Sequence, residues 1–382
     1  MWSGSLDFIV AKVQGLCAEN GTFAPMNHAV VIAGTGSVLP EVVVPNSAFL
    51  KNEFMDDNGN SFPNSNEVII QKFQQITEIE ERRYVRPDQN SSDIGAEAGR
   101  KALADAGWNA EDLDLLIVGQ NFGDIDPGTR RIDQMPSIAS RVKAKLGIAN
   151  PHTVAFDVLA GCPGWIQGVL VANAYLQAGM AKKALVIGTE TLSRIVDHHD
   201  RDSMIFADGS GAACFEVRAD AGGAGIMGSA AVSYTKDEAF YLKSLPSVNP
   251  AGDPNERLIR MKGRKIYEFA LKYVPDAMKA ALDNAGVHLK DVKKIFMHQA
   301  NAKLDHGVGE RLYKLYGLEA DLDAVMPMSI QWMGNSSVAT VPTLLDRVRH
   351  EQYQGHEVHP GDIVLFASVG AGMNINAFVY RF

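Results

Sequence analysis

One segment of this chain occurs twice. Residues 91–121, SSDIGAEAGRKALADAGWNAEDLDLLIVGQN, and residues 270–301, ALKYVPDAMKAALDNAGVHLKDVKKIFMHQAN, align at a constant offset of 179. Ala102 meets Ala281, Leu103 meets Leu282, Ala106-Gly107 meets Ala285-Gly286, Asp112 meets Asp291, and Gln120 meets Gln299. Each copy has the spacing of an amphipathic helix, a glycine stop, a turn and a buried strand. Stacked helical repeats recur roughly every 20–50 residues. This one recurs once, at nearly half of the 382-residue chain, so the fold is expected to be a duplicated unit.

Other apolar runs extend both halves. LLIVGQ, VAFDVLA, KKALVIGTE and GAACFEV read as strands in the first, and KKIFMHQ, GDIVLFASVG and NAFVYRF in the second. Helical stretches at 136–147, 164–178 and 341–350 alternate with them. Such alternation predicts an α/β fold of mainly parallel sheets covered by helices, the halves packing through central helices. The glycine-rich ADAGGAGIMGSA at 219–230 marks the seam, dividing 26–222 from 223–382. Residues 1–25 lack the basic start and unbroken apolar run of a secretory signal, and read as an appendage or an unused upstream start.

Composition removes several function classes. A net charge of -9 with no long basic run argues against a nucleic-acid partner. No stretch is apolar for long enough to span a bilayer. Cys17, Cys162 and Cys214, odd in number and far apart, fit a reducing cytoplasmic compartment without a disulfide framework. The run DHHDRD at 197–202 has the composition of a metal site, but adjacent side chains point apart and no second ligand set is evident. It reads as a solvated loop, and no metal or other cofactor is expected.

Four short stretches carry the chemistry. In DVLAGCPGW, a strand ends at Gly161, and Pro163 opens an apolar helix, which places Cys162 where free helix N–H groups converge. A lone cysteine is most often a small buried hydrophobe, whereas a helix N-terminus can hold a thiolate and lower the thiol's pKa. His298 ends a strand in FMHQAN, where histidine can also serve as a local hydrogen-bond partner. Gly334-Asn335-Ser336-Ser337 forms a polar turn before a helix, as an N-cap does. Gly370-Ala371-Gly372 breaks the last apolar strands and can present backbone N–H groups. A thiol, an imidazole, an amide and a glycine turn are together the parts of acyl transfer through a thioester.

On GCPG, FADGSGA, HQAN and GNSS in this order, with AGTGSVLP near the start and the terminal glycine turn, the chain resembles β-ketoacyl-acyl carrier protein synthase III, a condensing enzyme of the thiolase superfamily. The resemblance spans Met26 to Phe382 and implies the duplicated α/β/α/β/α layered fold, in keeping with the repeat. It implies that Cys162 accepts the acyl group of a thioester. His298 and Asn335 would stabilise the enolate formed when malonyl-acyl carrier protein decarboxylates, as a step of fatty-acid biosynthesis. The N–H groups of Cys162 and Ala371 would form the oxyanion hole. Phe206 would lie beside the pocket, Arg201 on the coenzyme A side of the tunnel, and Met135 would reach across a homodimer into the partner's acyl pocket. Lys303 would dock the acidic acyl carrier protein.

The chain also departs from that pattern. Val68 and Ile76 align where acetyl-coenzyme A-using members sandwich adenine between tryptophan and arginine. Two loops are enlarged, FMDDNGNSFPNS at 54–65 and GDIDPGTRRID at 123–133, and Ala371 stands in a turn that is usually all glycine. Other readings stay open: a ketosynthase of the dialkylresorcinol-forming type that joins longer β-ketoacyl units, or an acyltransferase acting on oxygen or nitrogen. A silent subunit of the chain-length-factor kind would lack the nucleophile, and here Cys162, His298 and Asn335 are all present.

Overall fold

The computed structural model describes residues 29–351 and 353–382. The expected appendage at 1–25 and Cys17 lie outside them. The first half contains β1 (Ala29–Val38), α1 (Asn66–Thr77), α2 (Ser91–Ala106), β2 (Leu115–Gly119), α3 (Ile138–Lys145), β3 (Val154–Val158), α4 (Gly164–Gln177), β4 (Lys183–Thr191) and β5 (Asp208–Arg218). The second contains β6 (Gly225–Ser233), α5 (Gly263–Ala285), β7 (Val292–Met297), α6 (Ala302–Leu315), α7 (Thr340–Glu351), β8 (Ile363–Gly370) and β9 (Asn374–Arg381). Gly222 and Gly223, between β5 and β6, and Gly225, which opens β6, all have positive φ.

The strands form a five-stranded sheet ordered β1-β5-β4-β2-β3 and a four-stranded one ordered β6-β9-β8-β7. With β6 matched to β1, β9 to β5, β8 to β4 and β7 to β2, the two orders coincide. The sheets are mixed, not mainly parallel: β1–β5, β5–β4, β6–β9 and β9–β8 pair antiparallel, while β4–β2, β2–β3 and β8–β7 pair parallel. For β8 and β9 the direction follows from the length of the connection. Only Ala371–Met373 separate β8 from β9, which is enough for a hairpin but not for a crossover.

The duplication extends to backbone detail. Helices α2 and α5 both end on a left-handed glycine, Gly107 and Gly286, which supplies the closing N–H to the last carbonyls. β1 bulges between Ile32 and Gly34, and β6 between Ile226 and Gly228. A Cβ on Gly34 would stand 2.4 Å from Ala106 N, and one on Gly228 would stand 2.5 Å from Ala285 N. In each half a glycine thus lets the first strand press against the end of the same repeated helix.

Three apolar clusters define five layers. Ala98, Ala102 and Leu103 of α2 cover the outer face of the first sheet. Ala277, Met278 and Ala281 of α5, with Leu304 and Leu312 of α6, cover the outer face of the second. Between the sheets lie α4 and α7, where Trp165 and Leu344 pack with Phe366 and Phe378. Trp165 holds its ring 6.3 and 6.4 Å from those two phenylalanines and donates its indole N–H to Val186 O at 3.2 Å. This middle layer fixes the ends of α4 and α7 relative to one another. Among the described residues no helix is long and apolar enough to cross a membrane.

Candidate functional site

Both central helices begin at one place. Cys162 immediately precedes Pro163, the N-cap of α4. Ser337–Ala339 form a 3-10 turn leading into α7. The two starts meet where the Ser337 hydroxyl donates to Cys162 Sγ at 3.3 Å.

Ser337 links all three expected catalytic side chains. Its N–H donates to Asn335 Oδ1 at 2.8 Å. That engages the carbonyl end of the amide and leaves the NH2 end as the donor. The buried His298 ring donates an N–H to the Ser337 backbone carbonyl. The Ser337 φ of 53° is left-handed, an unusual state for a residue other than glycine, and it turns the chain so that hydroxyl and backbone reach three partners. Asn121 Nδ2 donates both to Ser337 Oγ, at 3.3 Å, and to Glu190 Oε1, at 2.8 Å. Because Asn121 supplies protons to both neighbours, the single hydroxyl proton of Ser337 is left for sulfur.

Burial sets the charge states. Cys162 is half-buried, and burial of its sulfur pushes the thiol up to about 11; the Ser337 hydroxyl opposes the rise and Glu190 adds to it. Burial of the sulfur thus works against the lowering expected of a helix N-terminus. Burial also lifts the Glu190 carboxyl to about 8 and lowers the His298 imidazole to about 4. His298 is neutral at physiological pH and can donate a hydrogen bond without acting as a strong acid.

The backbone N–H groups of Cys162 and Ala371 are brought side by side by two glycines. A Cβ on Gly161 would stand 2.4 Å from Ala371 N, and one on Gly370 would stand 2.4 Å from Cys162 N. Gly161 also has φ 70°. The alanine at 371 keeps the N–H, and the required freedom falls on Gly161, Gly370 and Gly372.

Other expected residues are placed as follows. Phe206 is buried and its backbone bridges Asn335; Ala207 N donates to Asn335 O at 2.8 Å and Asn335 N to Ile205 O at 3.0 Å. Met135, just past the enlarged 123–133 loop, is 88% exposed. Lys303 is exposed on the first turn of α6, which Asn301 caps through Leu304 N at 2.8 Å. The Arg201 guanidinium lies 4.7 Å above the ring of Phe62, contributed by the 54–65 insertion. Val68 and Ile76 lie exposed on α1.

The Asp–His run secures the same insertion. His199 Nδ1 is 2.9 Å from Glu53 O, and His199 O accepts Met55 N–H at 2.9 Å. Arg260 pairs with Asp57 at 2.6 Å and Asp200 at 2.8 Å, while Asp197 accepts from Ser247 and Val248. The loop is therefore docked and partly buried, not solvated as expected.

Sequence reading passed over Ser337, Asn121 and Glu190 as individual residues. GNSS contained the first, and the second follows the repeated glutamine at a strand end. Glu190 stood inside an otherwise apolar strand, with no pattern to mark its role.

Comparison with known proteins identifies the constellation. A family profile described as 3-oxoacyl-[acyl-carrier-protein] synthase III matches residues 156–235, and the C-terminal profile of the same family matches 282–382. The chain is 32% identical over 356 residues to a beta-ketoacyl-[acyl-carrier-protein] synthase III of Ruegeria pomeroyi, covering 92% of this chain and 98% of that one. It is 34% identical over 348 residues to the enzyme of the same description from Caldanaerobacter subterraneus, covering 90% and 94%. The crystal structure of the synthase III of Thermus thermophilus superposes with a TM-score of 0.74 at 30% identity, covering 92% of this chain and 99% of that one. With its thiolase-like duplicated fold, the chain belongs to the beta-ketoacyl-[acyl-carrier-protein] synthase III family of condensing acyltransferases.

Proposed function

We propose that the protein condenses an acyl thioester with malonyl-acyl carrier protein in fatty-acid biosynthesis, with Cys162 carrying the acyl group between two half-reactions. The observation that carries this reading is the convergence of Cys162, His298 and Asn335 on Ser337, beside the paired N–H groups of Cys162 and Ala371. In the first half-reaction the Cys162 sulfur attacks the thioester carbonyl, whose oxygen takes up charge against the two N–H groups. The donor leaves as its thiol, so this exchange neither consumes nor releases a proton. In the second, the malonyl carboxylate departs as CO2, and the enolate oxygen accepts hydrogen bonds from neutral His298 and the Asn335 amide. The enolate carbon attacks acyl-Cys162; cysteine leaves as thiolate and is reprotonated, consistent with its raised pKa. The descriptions of the matched relatives favour this reading over the dialkylresorcinol-forming one.

The donor is proposed to be a carrier-protein thioester in preference to a coenzyme A thioester. Val68 and Ile76 offer no planar cation or large ring to a base, and one face of Arg201 is covered by Phe62. Stacking on an aromatic or cationic plane contributes roughly 1–3 kcal/mol per base, an anchor a carrier protein does not need. Lys303 offers it a positive contact instead. A homodimer is proposed on the bare edge of the first sheet. β3 pairs on one side only, and Val154, Leu159 and Met135 near that edge are exposed. The free thiols Cys162 and Cys214 support a cytoplasmic setting.

Intact-mass analysis after single-turnover mixing with one acyl chain on both carriers tests the assignment. Acyl-Cys162 should form at lower concentration from the carrier protein. Acetyl-coenzyme A as the fastest and tightest donor would overturn the donor preference, and acylation persisting in Cys162→Ala would overturn the nucleophile.

A further inference from the structure

Two polar residues that are not among the expected catalytic groups reach Cys162 through Ser337. Gly119 of β2 pairs with Gly188 of β4, and Asn121 and Glu190 stand two residues further along the same parallel register. Asn121 Nδ2 donates to Glu190 Oε1 at 2.8 Å and to Ser337 Oγ at 3.3 Å, and Ser337 Oγ donates to Cys162 Sγ at 3.3 Å. The Asn121 backbone N–H bonds Glu190 as well. Glu190 is 2% exposed, and the other charged group acting on it is an acid, Asp208, rather than a cation. A buried acid without a cation is costly, and this one opposes a negative charge on the Cys162 sulfur. Its hydrogen bonds give it a use. A carboxylate only accepts, so Glu190 holds the Asn121 amide with its NH2 end toward the shared neighbours. One of the two amide protons goes to Glu190 and the other to the Ser337 oxygen, which leaves the hydroxyl proton directed at sulfur. A carbonyl at the same place would take that proton away.

We propose that Asn121, oriented by Glu190, is a positioning residue for acyl transfer: it fixes the direction of the Ser337 hydroxyl, so that the Cys162 sulfur receives a hydrogen bond whenever it carries charge. That happens twice in the proposed cycle, as sulfur attacks the donor thioester and as it leaves when the enolate carbon attacks. No proton moves along the chain of bonds; the chain sets a direction. The inference rests on reading Cys162 as the nucleophile. It also accounts for an acid near a sulfur that must become an anion, where its charge alone would be a hindrance.

The test reverses these bonds while keeping the groups that make them. Asn121→Asp combined with Glu190→Gln exchanges the amide and the acid in the full chain. The amide at 190 then donates, and the carboxylate at 121 accepts from both sides and draws the Ser337 proton off sulfur. Iodoacetamide alkylation of Cys162 and its single-turnover acylation are measured at pH 9, above the value of about 8 to which burial lifts the acid. The exchange should slow both reactions about ten- to a hundredfold, the range for one hydrogen bond to a charged group. Ser337→Ala should slow them equally, and adding it to the exchange should have no further effect. Glu190→Gln alone, whose carbonyl still accepts from Asn121, should not slow alkylation. If the exchanged protein does not fold, Asn121→Asp alone decides, again by whether Ser337→Ala adds to its loss. Wild-type rates in the exchanged protein overturn the proposal. So does a loss that adds in full to that of Ser337→Ala, as the field of a nearer carboxylate would. Acylation persisting in Cys162→Ala would instead overturn the nucleophile reading beneath it.

Discussion

At the residue scale, the site works against the usual means of activating a cysteine. Cys162 sits at a helix N-terminus, yet its thiol is raised to about 11 because burial outweighs the Ser337 hydroxyl. Alkylation by iodoacetamide should therefore label Cys162 ahead of the wholly buried Cys214, with a rate that still climbs between pH 7 and 9. Ser337→Ala should slow it at fixed pH, since the sulfur anion loses its one hydroxyl donor. A plateau near pH 7, or equal labelling of both thiols, would contradict this. Glu190 makes a second prediction. Its folded pKa, about 8, lies above the unfolded value near 4.5, so between them the folded state binds the extra proton. The associated stability is complete below about pH 4.5 and is lost as pH rises through 8. His298, lowered to about 4, has the opposite slope, confined below its ordinary value near 6.5. Melting temperature should thus fall between pH 6.5 and 8 in wild type and fall less in Glu190→Gln; parallel curves would refute the assignment. None of these states was legible in the sequence, where Cys162 can be placed at a helix start but the loss of water around its sulfur cannot.

At the element scale, apolar runs bounded by glycine mark the helices and strands well. The expected helices at 136–147, 164–178 and 341–350 correspond to Ile138–Lys145, Gly164–Gln177 and Thr340–Glu351. What such runs do not encode is strand direction. An apolar run reads the same whether its neighbour arrives through a helix or, as at β8–β9, through a three-residue turn, so the antiparallel pairings were not legible. The docking of the 54–65 insertion was hidden for a related reason, because the Asp–His run that secures it finds its partners at Glu53, Asp57 and Arg260, far off in the chain. Close backbone contacts make the strongest element-level prediction. Gly34→Ala and Gly228→Ala each drive a Cβ into helix backbone, at Ala106 and Ala285. Each should cost about 1–3 kcal/mol of stability, measured by denaturant unfolding. Gly128→Ala, whose nearest atom is a side-chain oxygen at 3.5 Å, should be close to neutral. Equal effects at all three positions would remove the claim that the two bulges do the same job.

At the scale of the whole molecule, duplication explains why the site lies where it does. The first half brings Cys162 to the start of α4, and the second brings His298, Asn335 and Ala371 to the start of α7 and the ends of β7 and β8. The repeat, visible as a 179-residue offset, made the doubled fold legible, and the ordered motifs made the three side chains legible. Ser337, which joins them, was not, because its role depends on a backbone angle and on contacts across both halves. The edge strand β3 carries the assembly prediction. Sedimentation should show about twice the 41.4 kDa chain mass, and Val154→Asp should shift it toward monomer by placing like charges on a self-paired edge; a wild-type monomer would contradict it. The central claim, that one half captures the acyl group and the other stabilises the enolate, is tested most directly by measuring acyl-Cys162 and malonyl decarboxylation separately in His298→Ala and Asn335→Ala. The account predicts that both variants acquire the acyl mass on Cys162 while decarboxylation falls steeply. A variant that decarboxylates normally but fails to acylate would contradict it.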